Sequence, residues 1–254
     1  MTAIDNIKLY RNIPIQITDK ITLTQPKVSD IFTDLKTEQN YFAFVQNFTA
    51  ITLDSSIIVF LTDKVHVDFT KITNWELFVA LCPAFDENIS NLFFGDLDWK
   101  SMKPSNDENG NLYIENKDGV QITQLIYELL FQYMRIINNM PLNIQTKILD
   151  DEVQKNMAIS SARREIQSAI KKERFCPSGS VLLPYVSSLT NYHGLNDEDR
   201  VCNMNIYKFW DSIKRTQAYE EFSGLNTGMY SGMVSLKDNP GLKKSLNWMR
   251  ELSN

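Results

Sequence analysis

The sequence predicts an α+β protein that is mainly α. It expects a small antiparallel β-hairpin or meander at the N-terminus, a second short hairpin near residues 100–116, and a helical C-terminal half. Three observations predict this. Apolar residues fall on every second position from Ile7 to Leu23, the period of half-buried strands. Asn109-Gly110 stands between short apolar runs, a hairpin signal. From residue 121 onward the apolar spacing alternates between three and four, the helical period.

In the N-terminal element, Ile7, Leu9, Ile13, Ile15, Ile17, Ile21 and Leu23 alternate, and Arg11-Asn12 and Thr18-Asp19-Lys20 take the turns. Pro14 makes its strand an edge, because it has no N–H to give a ladder. Pro26 is read as the first residue of a helix carrying Val28, Ile31, Phe32 and Leu35. Thr37 with Asn40 starts the next, which carries Tyr41, Phe44, Val45 and Phe48. Asp54–Leu61 reads equally as a short helix or a strand, and Val65, Val67 and Phe69 alternate like a brief strand.

Thr73 and Glu76 have the spacing of a capping box. The helix they open carries Trp75, Leu77, Phe78 and Leu81 and stops before Pro83. The aromatic stretch 91–99 leads into the hairpin, whose Asn109-Gly110 favours a type I′ turn, with Asp118-Gly119 closing the return strand. Residues 121–137 give the clearest helix, with Ile122, Leu125, Ile126, Leu129, Leu130, Tyr133 and Ile137 in register, and Pro141 ends it.

Residues 142–150 read as a linker. Asp151–Arg174 is a polar helix with a thin stripe, Val153, Met157, Ala162, Ile166 and Ala169, acidic at its start and basic at its end, as the helix dipole favours. Cys176–Ser180 breaks the chain before a helix at Val181–Tyr192. Asn196 or Asp197 caps another, residues 203–222 are helical, Gly224–Gly232 is looser, and Pro240-Gly241 precedes a final helix, Leu242–Leu252. This divides the chain into an α+β domain, 1–140, and a helical domain, 150–254, or leaves one continuous globular unit.

A content of 43% hydrophobic against 22% charged residues suits a packed core and excludes global disorder. The net charge of −5, with no long basic block, argues against wholesale nucleic-acid or membrane-surface binding. No apolar run nears the roughly 18 residues of a membrane span, and Met1–Arg11 lacks the apolar core of a secretory signal. Cys82, Cys176 and Cys202 are odd in number and far apart, so free thiols in a reducing compartment are expected.

Chemistry-bearing patterns are sparse. The Asp107–Gly110 stretch lacks the acidic first ligand and terminal Glu of a calcium loop, since Ser105 and Asn116 stand there. Asp96 and Asp98 have no third ligand at a telling spacing and read as a turn or cap. His66 and His193 form no zinc-binding pair, and there is no nucleophile motif. Ser178-Gly179-Ser180 lacks the Lys of a phosphate loop and reads as a helix cap. Arg163, Arg164, Lys171, Lys172 and Arg174 are interleaved with Glu165 and Glu173, the pattern of a solvated helix face. No catalytic residue, cofactor or metal is therefore expected, and an enzyme with an unrecognised site, around His193 or Asp96, is the remaining alternative.

The C-terminal tract is instead rich in aromatic residues and methionine. Ile206, Phe209, Trp210 and Ile213 share a face and read as core. Tyr207, Tyr230, Trp248 and Met249 are the candidate partner-binding residues, because aromatic and thioether side chains suit adaptable protein contacts.

Several segments carry a resemblance. They are Ile13–Ile31, with its Ile13–Ile17, Asp19-Lys20, Ile21–Leu23 and Gln25–Ile31 runs, Trp75-Glu76-Leu77-Phe78, Gly95-Asp96-Leu97-Asp98, Met204–Arg215, Gly228–Met233 and Leu246–Arg250. Over most of its length the chain resembles proteins encoded in the tail and baseplate regions of phages that infect Gram-positive bacteria. The resemblance implies a non-enzymatic role in virion morphogenesis, as a tail or baseplate assembly chaperone or as a structural subunit. It implies other tail or baseplate proteins as partners, with self-association open, and a place in the host cytoplasm during assembly or in the virion.

Overall fold

The N-terminal alternation splits at Asp5. Its carboxylate accepts from the Ile7 and Lys8 amides at 3.1 Å and starts a helix, α1 (Asn6–Tyr10), where strand period had been read. Capping decides this, since a satisfied first turn outweighs two apolar positions of which Leu9 alone is buried. The remainder is a two-stranded antiparallel hairpin, β1 (Ile15–Thr18) and β2 (Ile21–Leu23), without a third strand. The structure, a computed structural model, describes residues 5–142, 151–175, 179–192, 197–233 and 240–250. The expected linker is described only at Leu142.

Pro26 does not open the next helix. Its carbonyl accepts from the Ile206 amide at 3.1 Å, and the Val28 amide donates to the Met204 carbonyl at 2.9 Å. Residues 26–28 are thus pinned to the C-terminal part of the chain, and α2 (Val28–Ile31) starts after them. Helix α3 (Leu35–Phe48) begins earlier than Thr37, because the Asp34 carboxylate caps the Lys36 and Thr37 amides.

Within residues 51–70, Ser55–Val65 is helical and the flanks are turn or irregular. Helix α4 (Ser55–Val59) runs into a π-helical turn, Phe60–Val65, which ends where His66 takes a left-handed φ of 58°. The expected strand at 65–69 is absent. Val65 and Val67 are exposed, while Leu61 and Phe69 turn inward.

The Thr73–Glu76 capping box forms as expected at the head of α5 (Asn74–Leu81). Helix α6 (Glu87–Phe94) follows, capped by Asp86. The second β-element has three antiparallel strands in the order β3 (Lys103–Asn106), β4 (Leu112–Glu115), β5 (Gln121–Thr123).

Its first turn is not type I′, because positive φ is taken by Gly110 (82°) and not by Asn109. The Gly110 amide donates to the Asp107 carbonyl at 2.9 Å, and the Asp107 carboxylate accepts from the Asn109 and Asn111 amides. Asn116 builds the second turn the same way, with Gly119 at φ 68°. An Asx side chain at the head of each loop sets the turn, so one residue with positive φ suffices, and glycine adopts it without strain.

Helix α7 (Gln124–Ile137) is capped by Thr123, later than the spacing implied, because 121–123 belong to β5. Then come α8 (Glu152–Phe175), α9 (Leu182–Asn191), α10 (Glu198–Cys202, capped by Asp197) and α11 (Ile206–Tyr230, capped by Asn205).

Helix α11 is continuous through Gly224 and Gly228, where a looser chain had been expected. A Cβ at Gly224 would meet nothing within 4 Å. Gly224→Ala is therefore expected to raise stability by about 1 kcal/mol, the helix-propensity difference, as measured by urea unfolding. The expected final helix is a 3-10 turn, Pro240–Leu246, packed back on α11. Arg215 Nη1 donates to the Arg250 carbonyl at 2.8 Å there.

One buried cluster takes residues from Leu9 to Ile213. Leu182, Val186, Leu189, Val201, Ile206 and Phe209 share it with Phe48, Phe78, Phe93 and Trp99. A second cluster, with Ile57, Ile58, Leu61, Phe69 and Leu77, receives Ala158, Ile159 and Ala162 of α8. Two ion pairs flank that dock, Lys155–Asp68 at 3.1 Å and Arg163–Asp63 at 2.6 Å. Bonds from the Thr70 hydroxyl and amide, then Lys155, hold the Asp68 carboxyl at about 2.

Candidate functional site

The four candidate contact residues do not form one patch. Tyr207 and Tyr230 lie near opposite ends of α11, about 35 Å apart at 1.5 Å per residue. Tyr207 is half-buried against the main core, and its amide donates to Gln25 Oε1 at 3.3 Å. Tyr230 is 90% exposed, with Met233 beside it at 86%. Trp248 is half-buried, its ring edge-on to Tyr219 at 5.4 Å. Met249 is 71% exposed. Of the four, Tyr230 and Met249 are freely offered, with Met233 beside Tyr230, while Tyr207 and Trp248 already have intramolecular work.

What positions the tract is a contact that local sequence reading missed. Glu38, 2% exposed on α3, turns its carboxylate to the N-terminus of α9. It accepts from the Ser180 hydroxyl at 2.5 Å, from the Leu182 amide at 2.9 Å and from the Val181 amide. The Ser180 hydroxyl itself accepts from the Leu183 amide at 2.8 Å. Ser180 thus holds the first turn of α9 from the residue before its N-cap, Val181, and the anion at this helix N-terminus belongs to the chain itself. Ser178 lies outside the described residues.

A second anchor is Asn205, 5% exposed, which caps α11 through Lys208 at 2.7 Å while donating to the Leu9 and Tyr10 carbonyls. Gln25 completes it by donating to the Leu9 carbonyl at 2.9 Å.

A groove of about 990 Å³ opens elsewhere, between the start of α5, the β3–β4 loop, β5 and the start of α7. Its charged lining residues are Glu76, Asp107, Glu108 and Glu128, and no lysine or arginine lines it. Asp107 is held below the usual carboxylate range, first by the Asn111 side chain and then by the Asn111 amide.

The remaining patterns have local duties. Asp98 pairs with Lys117 at 2.9 Å and accepts from the Ser101 amide, and the Lys117 bond lowers its pKa. Asp107 and Asn116 set turns. His66 stacks back on its own turn, Nδ1 lying 3.2 Å from the Thr62 carbonyl oxygen. His193 and Cys176 lie outside the described residues. Among the described residues no three His, Cys, Asp or Glu side chains come together as metal ligands. No helix among them is long and apolar enough to cross a membrane.

Cys82 and Cys202 are free thiols. Cys82 is fully buried, donates to the Val79 carbonyl at 3.5 Å, and burial pushes its pKa up to about 12. Because the thiolate is the nucleophile, iodoacetamide is expected to modify half-buried Cys202 in the native protein and to reach Cys82 only in denaturant; peptide mass mapping reads the order.

Residues 181–253 match the family model of the YomV second domain, YomV being a Bacillus phage-region protein. The matched segment begins at the residue whose amide Glu38 caps, and it holds α9, α10, α11 and the 3-10 turn. No curated protein and no solved structure matches the chain.

Proposed function

We propose that the chain is a phage-associated protein and, more finely, a non-enzymatic tail or baseplate assembly factor. It would hold another tail protein through apolar helical surface in the host cytoplasm until assembly. The observation that carries this reading is that exposed apolar side chains near the end of α11 and after the 3-10 turn lie in the matched segment. Tyr230, Met233 and Met249 all lie inside the matched segment, held out by a scaffold anchored at Glu38 and Asn205. Thioether and phenol side chains on a helix end and an adjoining turn suit a surface that adapts to a partner.

Tagged protein should recover one tail or baseplate protein from infected cells and be absent from purified particles. The double variant Tyr230→Ser with Met249→Ser should lose that partner at unchanged melting temperature, since neither side chain is packed. Stoichiometric presence in particles would instead make the chain a virion subunit, the alternative reading. Retention of the partner by the double variant would remove these residues from the contact.

A further inference from the structure

We propose that the groove between α5, the three-stranded sheet and α7 takes a lysine- or arginine-rich segment of a partner protein, seated by an apolar side chain on Leu125. The first ground is charge complementarity. Four carboxylates line the groove, no cation does, and none of the four belongs to an ion pair among the described residues. Local bonds hold three of them. Glu76 is held by Thr73, Asp107 by the turn it builds, and Glu128 accepts from Gln124 Nε2 at 2.9 Å. Glu108 and Glu128 stand exposed on opposite walls, one on the β3–β4 loop and one on α7. A cleft of one sign with low-dielectric walls concentrates its field on an approaching cation, and this one repels phosphates and nucleic acid.

The second ground is apolar. Leu125, in the first turn of α7, is 78% exposed, and Trp75, Leu112 and Tyr113 add apolar surface to the same lining. Leu125 is a large side chain offered to solvent beside the charges, the pairing that an amphipathic basic segment would cover. Strand addition is not the mode at the β3 edge, because Pro104 sits in that strand without an N–H to donate. The occupant therefore lies across side chains. The groove draws on residues 73–128, apart from Tyr230, Met233 and Met249, so this proposal and the proposed function stand or fall separately.

The test is fluorescence anisotropy of a labelled peptide of alternating lysine and leucine, titrated with the full chain at low and high ionic strength. Saturable, equimolar binding that weakens with salt is expected. The double variant Glu108→Gln with Glu128→Gln should weaken it about tenfold, the loss expected of two exposed ion pairs. Leu125→Ala should weaken it severalfold. Glu220→Gln with Glu221→Gln removes the same charge from α11 and should leave binding unchanged. Binding that does not saturate, or that falls equally in the α11 variant, overturns the proposal, because net charge alone would then explain it. Salt-sensitive self-association lost in the groove variant also overturns it, assigning the groove to a second copy of the chain.

Discussion

Glu38→Ala is expected to cost about 3–4 kcal/mol of global stability, read from urea unfolding. The carboxylate is 2% exposed and accepts from the Ser180 hydroxyl and the Val181 and Leu182 amides, across 142 to 144 residues of chain. Truncation leaves the buried Leu182 amide and the part-buried Val181 and Ser180 donors without their acceptor, at about 1–3 kcal/mol for a group left unsatisfied and less where water reaches it. It also removes an anion from a helix N-terminus, up to about 2 kcal/mol in a partly buried geometry. Water entering the space left behind recovers part of this, which brings the sum down. Forming the clamp already costs the desolvation of a carboxylate, so its net contribution is smaller than the loss on breaking it. Glu38→Gln keeps one acceptor oxygen and should fall between wild type and Ala. A loss below about 1 kcal/mol for Glu38→Ala would mean that α9 is held by its apolar face alone.

Phe48→Ala is expected to cost about 4 kcal/mol, the range for emptying a buried aromatic site. Phe48 is fully buried at the meeting point of α3, α5 and α6. Its ring lies 5.2 Å from Phe78, 5.3 Å from Phe94, 5.7 Å from Phe85, 5.8 Å from Phe44 and 5.9 Å from Trp99, centroid to centroid. Rings this interlocked cannot all shift to fill the hole without breaking their edge-to-face contacts, so the cavity persists. Against a typical total of about 5–15 kcal/mol, such a variant would sit near the margin of folding. Phe48→Leu should cost much less, because it keeps most of the volume. If Phe48→Ala lost under about 2 kcal/mol, the cluster would have to be softer than its packing implies.

Helix starts were the most legible part of the fold where a side chain caps its own helix. Thr73 with Glu76 and Asp197 stand where the pattern put them. The same device also acts where periodicity points elsewhere: Asp5 caps a helix in an alternating stretch, and Asp34 starts α3 before Thr37. Asp107 changed the turn that Asn109-Gly110 alone would favour. Residues 51–70 were undecidable because a short apolar run has the same composition as helix or strand. The helical part, Ser55–Val65, packs against Ala158, Ile159 and Ala162 of α8, about a hundred residues on.

The candidate contact residues divide on the same principle. Their chemistry was readable, but whether each is spent inside the fold was not. Trp248 is taken by Tyr219 and Tyr207 by the main core, while Tyr230 and Met249 stay outside. By itself the sequence determined what depends on near neighbours: the mainly helical α+β class, the capped helix starts, the glycine-bearing turns and the placement of adaptable apolar side chains in the last third. Only the tertiary structure decided the Glu38 clamp, the shared core from Leu9 to Ile213 and the carboxylate-lined groove. Each of these joins residues far apart in the chain, and a hydrogen bond or an apolar contact is set by distance in space, which local periodicity does not encode.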